Sequence, residues 1–212
     1  MWGKLKELKE TVLDVILPRS CLGCGQEGRY VCEQCDLFLS EATSLFRQEG
    51  LEELVSAWEY DGLIKDIILR VKYDGMFDAI GELVEKAFAT KKPYIPEDAM
   101  ITFVPMFKKK EKQRGFNQAE LIAQKIREMT GAKMLPLLEK VKDTSSQTKL
   151  DKTERLANVR GSFRRKEGIV YPSNVLLVDD VWTSGATMKE CAKVLRRSGV
   201  KRVFGFTLAR TI

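Results

Sequence analysis

Histidine is absent from all 212 residues. Imidazole is therefore excluded as an acid–base catalyst and as a metal ligand, so any bound metal must rest on sulfur or oxygen. No apolar stretch approaches the roughly 18 residues that would read as a transmembrane helix. The first residues, Trp2 to Pro18, are charged throughout and lack a small-residue cleavage site, so a signal peptide is not expected and a cytoplasmic location is. No combination of aromatic and amide residues marks a pocket for one particular nucleobase.

What is present fits one α/β domain with a small addition: 44% of residues are hydrophobic, enough for a sizeable core. The formal charge of +6 points weakly to an anionic partner. Four of the five cysteines fall in one stretch, Cys21, Cys24, Cys32 and Cys35, spaced C-x2-C-x7-C-x2-C. Two such knuckles bring four soft sulfurs to one point, the preferred shell of a tetrahedral structural Zn²⁺ with no open position. Gly23 and Gly25 suit the tight first knuckle. Two disulfides are the competing reading, disfavoured in a reducing compartment. A redox pair would need a strand-to-helix context that is missing here. With four thiolates and one divalent ion the formal charge falls to about +4. Cys191 sits alone in a helical pattern and reads as core.

The most informative stretch is Val175 to Thr187, VLLVDDVWTSGAT. Four aliphatic residues suit a strand buried on both faces, and two acids, Asp179 and Asp180, follow at its end. Thr183, Ser184, Gly185, Ala186 and Thr187 then offer hydroxyls, a glycine with room for a phosphate, and the N-terminus of a helix running from Met188 to Arg197. A phosphate cradle beside acids that can hold vicinal hydroxyls or a hard cation describes a ribose 5-phosphate site. The alternative is a buried strand, an acidic turn and a capped helix with no ligand. The stretch resembles the phosphoribosyl pyrophosphate (PRPP) signature of type I phosphoribosyltransferases.

Along the rest of the chain, Leu5, Leu8, Val12, Val15 and Ile16 form a helical stripe that either packs on its own protein or meets a membrane or partner. Ser56 to Tyr60 reads as an extended edge, and two helices follow around Leu63–Val71 and Phe77–Phe88, separated by Lys72-Tyr73-Asp74-Gly75. Ile101 to Pro105 is a buried strand. Met106 to Arg114 reads as a loop carrying Lys108, Lys109, Lys110, Lys112 and Arg114, followed by a helix to about Met129. This basic loop is either a solvated charge run or an anion contact on the ligand side of the sheet. Lys133 to Glu139 suits a further strand, and Arg202 to Leu208 the last one. Between them, Lys142 to Ser162 is long and polar, with a short helix around Thr153 to Asn158. Such a segment inside a domain is usually functional, and Thr148, Lys149, Arg155, Asn158 and Arg160 are its candidate contacts.

The order of LPRSCLGCG, VKYDG, the VP-plus-basic segment, RGFNQAELIAQ, SSQTKLDKTERLANVRGSF and VLLVDDVWTSGAT resembles the ComF family of phosphoribosyltransferase-like competence proteins. The resemblance covers nearly the whole chain. It implies a type I phosphoribosyltransferase-like α/β fold, a mostly parallel sheet flanked by helices. Residues 1–50 would form the N-terminal helix and zinc module and residues 51–212 the main domain, with its core from about 96. It implies Mg²⁺-PRPP or ribose 5-phosphate as ligand, with the 5-phosphate on Thr183 to Thr187, Asp179 and Asp180 on the ribose hydroxyls, and Arg114 assisting loss of pyrophosphate. Lys108, Lys109, Lys110, Arg155 and Arg160 would face the pyrophosphate side. It implies a role in natural transformation, handling incoming single-stranded DNA with a DNA translocase or helicase at the inner face of the membrane. Basic groups at Lys108–Arg114, Arg155, Arg160 and Arg164-Arg165-Lys166 would track the strand, with Tyr60, Tyr73 and Phe116 as stacking partners. Phe107 stands where many relatives carry histidine, which weakens any carry-over of polar ligand contacts to that position. Thr183 stands where several nucleobase enzymes carry an acid, which leaves PRPP binding better supported than a named transfer reaction. A metabolic phosphoribosyltransferase acting on a base or amine is the alternative.

Overall fold

The computed structural model describes residues 19–46, 48–144 and 158–211. The chain divides into two compact units, Met1–Ser40 and Glu41–Ile212. The helical stripe expected in residues 2–17 and most of the short helix expected at Thr153 to Asn158 lie outside the described residues.

The smaller unit is built on tight turns. Gly25 donates its N–H to the Cys21 carbonyl at 2.8 Å, Cys21 donates to Gln26 at 2.7 Å, and Gly25 adopts φ of +80° to close the turn. The second cysteine pair brackets a one-turn helix, α1 (Glu33–Asp36), with Cys32 as its N-cap residue. Among its described residues the buried apolar ones are few: Cys21, Tyr30, Val31 and Cys32.

In the larger unit a five-stranded sheet runs in the order β1-β2-β7-β6-β3, comprising β1 (Leu45–Phe46), β2 (Glu53–Glu59), β3 (Met100–Phe103), β6 (Asn174–Trp182) and β7 (Arg202–Arg210). Every pairing is parallel except that of the two-residue β1. Val175 to Val178 are fully buried, which requires cover on both faces, and the helices supply it. On β7 the alternation of side chains shows this directly. Phe206 meets Phe88 of α3 (Ala79–Thr90) edge-on at 5.4 Å. Its neighbour Gly205 turns the other way, where a Cβ would lie 3.2 Å from Met188 of α6 (Ala186–Arg197). Met188, Cys191, Ala192 and Leu195 form the buried stripe of α6. Two further helices are α2 (Gly62–Tyr73), buried through Ile64, Ile67, Ile68 and Val71, and α5 (Gln118–Thr130). Asn117 caps α5 by accepting the Ala119 N–H at 3.1 Å, and Gly131 at φ of +71° ends it. The mostly parallel sheet flanked by helices is the α/β class the sequence implies.

Several local expectations are corrected. Met106 to Arg114 is not a loop throughout, because Lys108–Arg114 forms a helix, α4. Lysine, glutamate, glutamine and arginine are good helix formers, and Gly115 at φ of +86° stops the run. The strand expected over Lys133 to Glu139 is split by Pro136. Met134 bridges to Ile101, whereas β4 (Leu138–Lys140) pairs antiparallel with β5 (Phe163–Arg165) in a separate ribbon. Asp179 and Asp180 lie within β6 rather than past its end, since the ladder with β7 continues to Trp182 opposite Arg210. The segment Ser56 to Tyr60 is not an outer edge, because β1 covers β2 on the side away from β7. The two-residue β1 belongs to the larger unit, which begins at Glu41. Among the described residues no helix is long and apolar enough to cross a membrane.

Candidate functional site

A cleft of about 490 Å³ opens where β2, β3, β6 and β7 end, a size that accommodates a small ligand. The parallel pairings point these ends the same way, so a helix N-terminus and residues at or just past the ends of four strands converge there. Asp179, Asp180, Thr183, Gly185, Ala186 and Thr187 all line it. Ser184 is turned to the helix, where its Oγ accepts the Ala186 N–H at 3.4 Å. Gly185 holds φ of +76°, and a Cβ built on it would lie 2.2 Å from the Trp182 ring. The indole, not a ligand, fills the space beside this glycine.

The two acids differ in surroundings. Asp180 Oδ2 is 2.6 Å from the Lys72 ammonium, both side chains being largely shielded from water. Burial alone would lower the Lys72 pKa, but Asp180 outweighs it and raises it. Asp179 accepts the Asp180 backbone N–H at 2.9 Å and lies deep in the cleft. Desolvation, followed by the neighbouring Asp180 charge, pushes its carboxyl up to about 8. On the adjoining strands the buried Ser56 and Thr207 hydroxyls bond to each other at 2.7 Å, and Thr207 is the register partner of Asp179.

Helix α4 divides its cations between two faces. Lys110 and Arg114, four residues apart, line the cleft, while Lys108, Lys109 and Lys112 are exposed. Lys110 is already engaged, pairing with Asp143 at 3.2 Å and donating to the Thr144 carbonyl. Arg114 stacks over the Tyr73 ring at 5.7 Å. Arg160 is exposed and does not line the cleft, and Arg155 lies outside the described residues. Of the expected stacking residues Tyr60 lines the cleft, Tyr73 lies beneath Arg114, and Phe116 packs on Phe77 at 5.8 Å.

Sequence reasoning gave no role to Lys72, Lys140 or Trp182, all of which line the cleft. Lys72 stands in the VKYDG segment, which was legible as a motif. Lys140 had no signal: it follows β4's register, and burial with the nearby Lys110 charge lowers its pKa. Within RGFNQ, Asn117 is structural, with Nδ2 donating to the Val104 carbonyl at 3.0 Å and Oδ1 capping α5.

In the smaller unit the sulfurs of Cys21, Cys24, Cys32 and Cys35 all lie within 4.8 Å of one another. Tetrahedral thiolates about 2.3 Å from one ion would sit about 3.8 Å apart, so the cluster fits a metal. The Cys24–Cys32 distance of 3.5 Å is far longer than a disulfide of about 2.05 Å. Burial would raise the Cys21 thiol, but N–H groups of Cys32, Gly23 and Cys24 bring it down to about 6. Cys35 is pushed up to about 12, first by its hydrogen bond with Cys21. Several thiolates cannot coexist here without a cation among them.

No family model matches the chain. Among curated proteins it is 31% identical to the competence protein ComFC of Streptococcus pneumoniae over 184 residues, covering 84% of this chain and 74% of that protein. It is 29% identical to ComFC of Bacillus subtilis, over 90% of this chain and 78% of that one. It is also 29% identical to competence protein F of Haemophilus influenzae, over 90% and 84%. The solved structure of an allosteric regulatory enzyme of purine biosynthesis superposes with a TM-score of 0.37 at 20% identity, covering 60% of this chain and 24% of that one. TT1426 from Thermus thermophilus gives 0.34 at 16%, covering 62% and 72%. The likeness to the competence proteins extends over most of both chains, and the protein belongs to the ComF family.

Proposed function

We propose that this protein binds PRPP in the cleft at the sheet's carboxyl end and handles single-stranded DNA during natural transformation. One observation supports the ligand above the others: the two adjacent acids and the turn opening α6 line the same cleft. The first-turn amides of α6 lack intrahelical acceptors and favour an anion, here the 5-phosphate. Asp179 and Asp180 accept the ribose hydroxyls, and Arg114 and Lys110 face the pyrophosphate from α4. Because Asp180 already holds the Lys72 ammonium, the acids suit hydroxyl groups better than a hard cation. Mg²⁺ would then come on the phosphate oxygens of PRPP and neutralise part of the pyrophosphate charge.

The four-cysteine cluster holds one structural Zn²⁺ in this reading, with all four sulfurs as ligands and no open position. The DNA reading draws on the family and on the exposed face of α4, where Lys108, Lys109 and Lys112 project away from the cleft. Arg164 is less available, since it pairs with Glu139 at 2.6 Å.

Calorimetric titration with PRPP, with and without Mg²⁺, tests the ligand. Binding that is lost when Asp179 and Asp180 are both changed to Asn is the expected result, and unchanged affinity would remove the ligand from this cleft. A screen for pyrophosphate release across bases and amines separates ligand binding from a metabolic transferase.

A further inference from the structure

In the VKYDG segment two consecutive side chains each contact a residue that lines the cleft: Lys72, itself a lining residue, meets Asp180, and the largely exposed Tyr73 meets Arg114. Lys72, in the last turn of α2, ends 2.6 Å from Asp180 Oδ2. Tyr73, the last residue of that helix, lies beneath the Arg114 guanidinium at 5.7 Å from its ring centre. The helix itself is anchored through its buried residues Ile64, Ile67, Ile68 and Val71. Beyond it Gly75 turns the chain at φ of +74°, and Phe77 then packs on Phe116, two residues past Arg114.

We propose that Lys72 and Tyr73 form a positioning clamp that sets where Asp180 and Arg114 stand relative to each other, and so matches the ribose-hydroxyl subsite to the pyrophosphate subsite. This rests on the PRPP reading of the cleft. Lys72 occupies one carboxylate oxygen of Asp180 and leaves the other for a sugar hydroxyl. Tyr73 offers its ring face to Arg114, which fixes the guanidinium plane without consuming its N–H donors. The two contacts are linked because their residues are neighbours in the last turn of a helix whose apolar face is buried. Neither residue needs to touch the reacting atoms. Asp180 and Arg114 come from different elements, β6 and α4, and the last turn of α2 supplies a contact to each.

The test is calorimetry on the full chain with ribose 5-phosphate and, separately, inorganic pyrophosphate. Lys72→Met should weaken ribose 5-phosphate about tenfold, and Lys72→Arg should restore most of it. Tyr73→Ala should weaken pyrophosphate several-fold with ribose 5-phosphate unchanged, and Tyr73→Phe, which keeps the ring face, should match the parent. Adding Lys72→Met to Asp180→Asn should cost nothing further for ribose 5-phosphate, because the group it positions is already gone. Equal weakening of both ligands in both variants marks general loosening and overturns the clamp, as does no weakening in either. Lys72→Gln serves if the methionine variant does not fold. A parent protein that binds neither ligand overturns the PRPP reading itself, and the clamp's ligand with it.

Discussion

At the scale of single residues, the cleft keeps groups in states that folding alone would not choose. Asp179 is the clearest case, with a carboxyl pushed up to about 8 by burial and by Asp180. In the unfolded chain this group titrates near its ordinary value of about 3.9. Between those values the unfolded state has released a proton that the folded state retains, so stability falls as pH rises from about 4 to 8 and levels beyond. Asp179→Asn should therefore raise the melting temperature at pH 7, by an amount corresponding to roughly 1–3 kcal/mol, while weakening PRPP. Melts at several pH values should also show the fall between pH 4 and 8 flattened; an unchanged profile counts against the buried acid. Gly185 is the second case. Gly185→Ala should destabilise by about 2–4 kcal/mol, because φ of +76° and a Cβ 2.2 Å from the Trp182 ring act together. Pairing it with Trp182→Leu, which makes room for the Cβ, should recover part of that stability in a urea melt. Independent, additive effects would place the strain elsewhere.

At the scale of elements, α4 divides one run of basic residues between two faces. As a loop, its lysines would be interchangeable; as a helix, they separate by a half-turn. Changing Lys108, Lys109 and Lys112 together to Ala should weaken single-stranded DNA binding and lower the log–log salt slope by about 0.7 for each phosphate that is no longer neutralised. The same variant should leave PRPP binding intact, since none of these residues lines the cleft. Arg114→Ala should do the opposite. Fluorescence anisotropy with an oligonucleotide at several salt concentrations, beside PRPP calorimetry, reads both. If both variants fail to bind both ligands, the division of faces has no functional meaning.

At the scale of the whole molecule, the chain joins a unit with an ample core to one whose described residues bury few apolar side chains. The larger unit buries most of β2, β6 and β7, whereas the described part of the smaller has few buried apolar residues around its cysteines. A unit of that size ordinarily needs a metal or disulfides to hold its fold. Cys32→Ser should abolish stoichiometric zinc and speed amide exchange between residues 19 and 40, leaving the sheet protected. Zinc-free protein with the same protection in both units would refute a structural metal.

The sequence by itself determined the parts whose cause is local. Val175 to Val178 must be buried on both faces, so a parallel sheet with helices on both sides followed from four residues. The cysteine spacing carried the cluster, because each knuckle closes within its own turn. The acids and the turn that opens α6 were legible because strand, turn and helix N-terminus succeed one another in thirteen residues. Tertiary structure alone decided the rest. Lys72 is remote in sequence from Asp180, and only the packing of α2 brings the ammonium to the carboxylate. Lys140 enters the cleft because Pro136 breaks its strand and the ribbon of β4 and β5 turns that residue inward. Gly185 looks in sequence like room for a phosphate, but the folded turn gives that room to Trp182. Patterns of period and spacing record what a residue does to its own segment; which charges meet across a cleft is set by how buried faces pack, and that is not a local property.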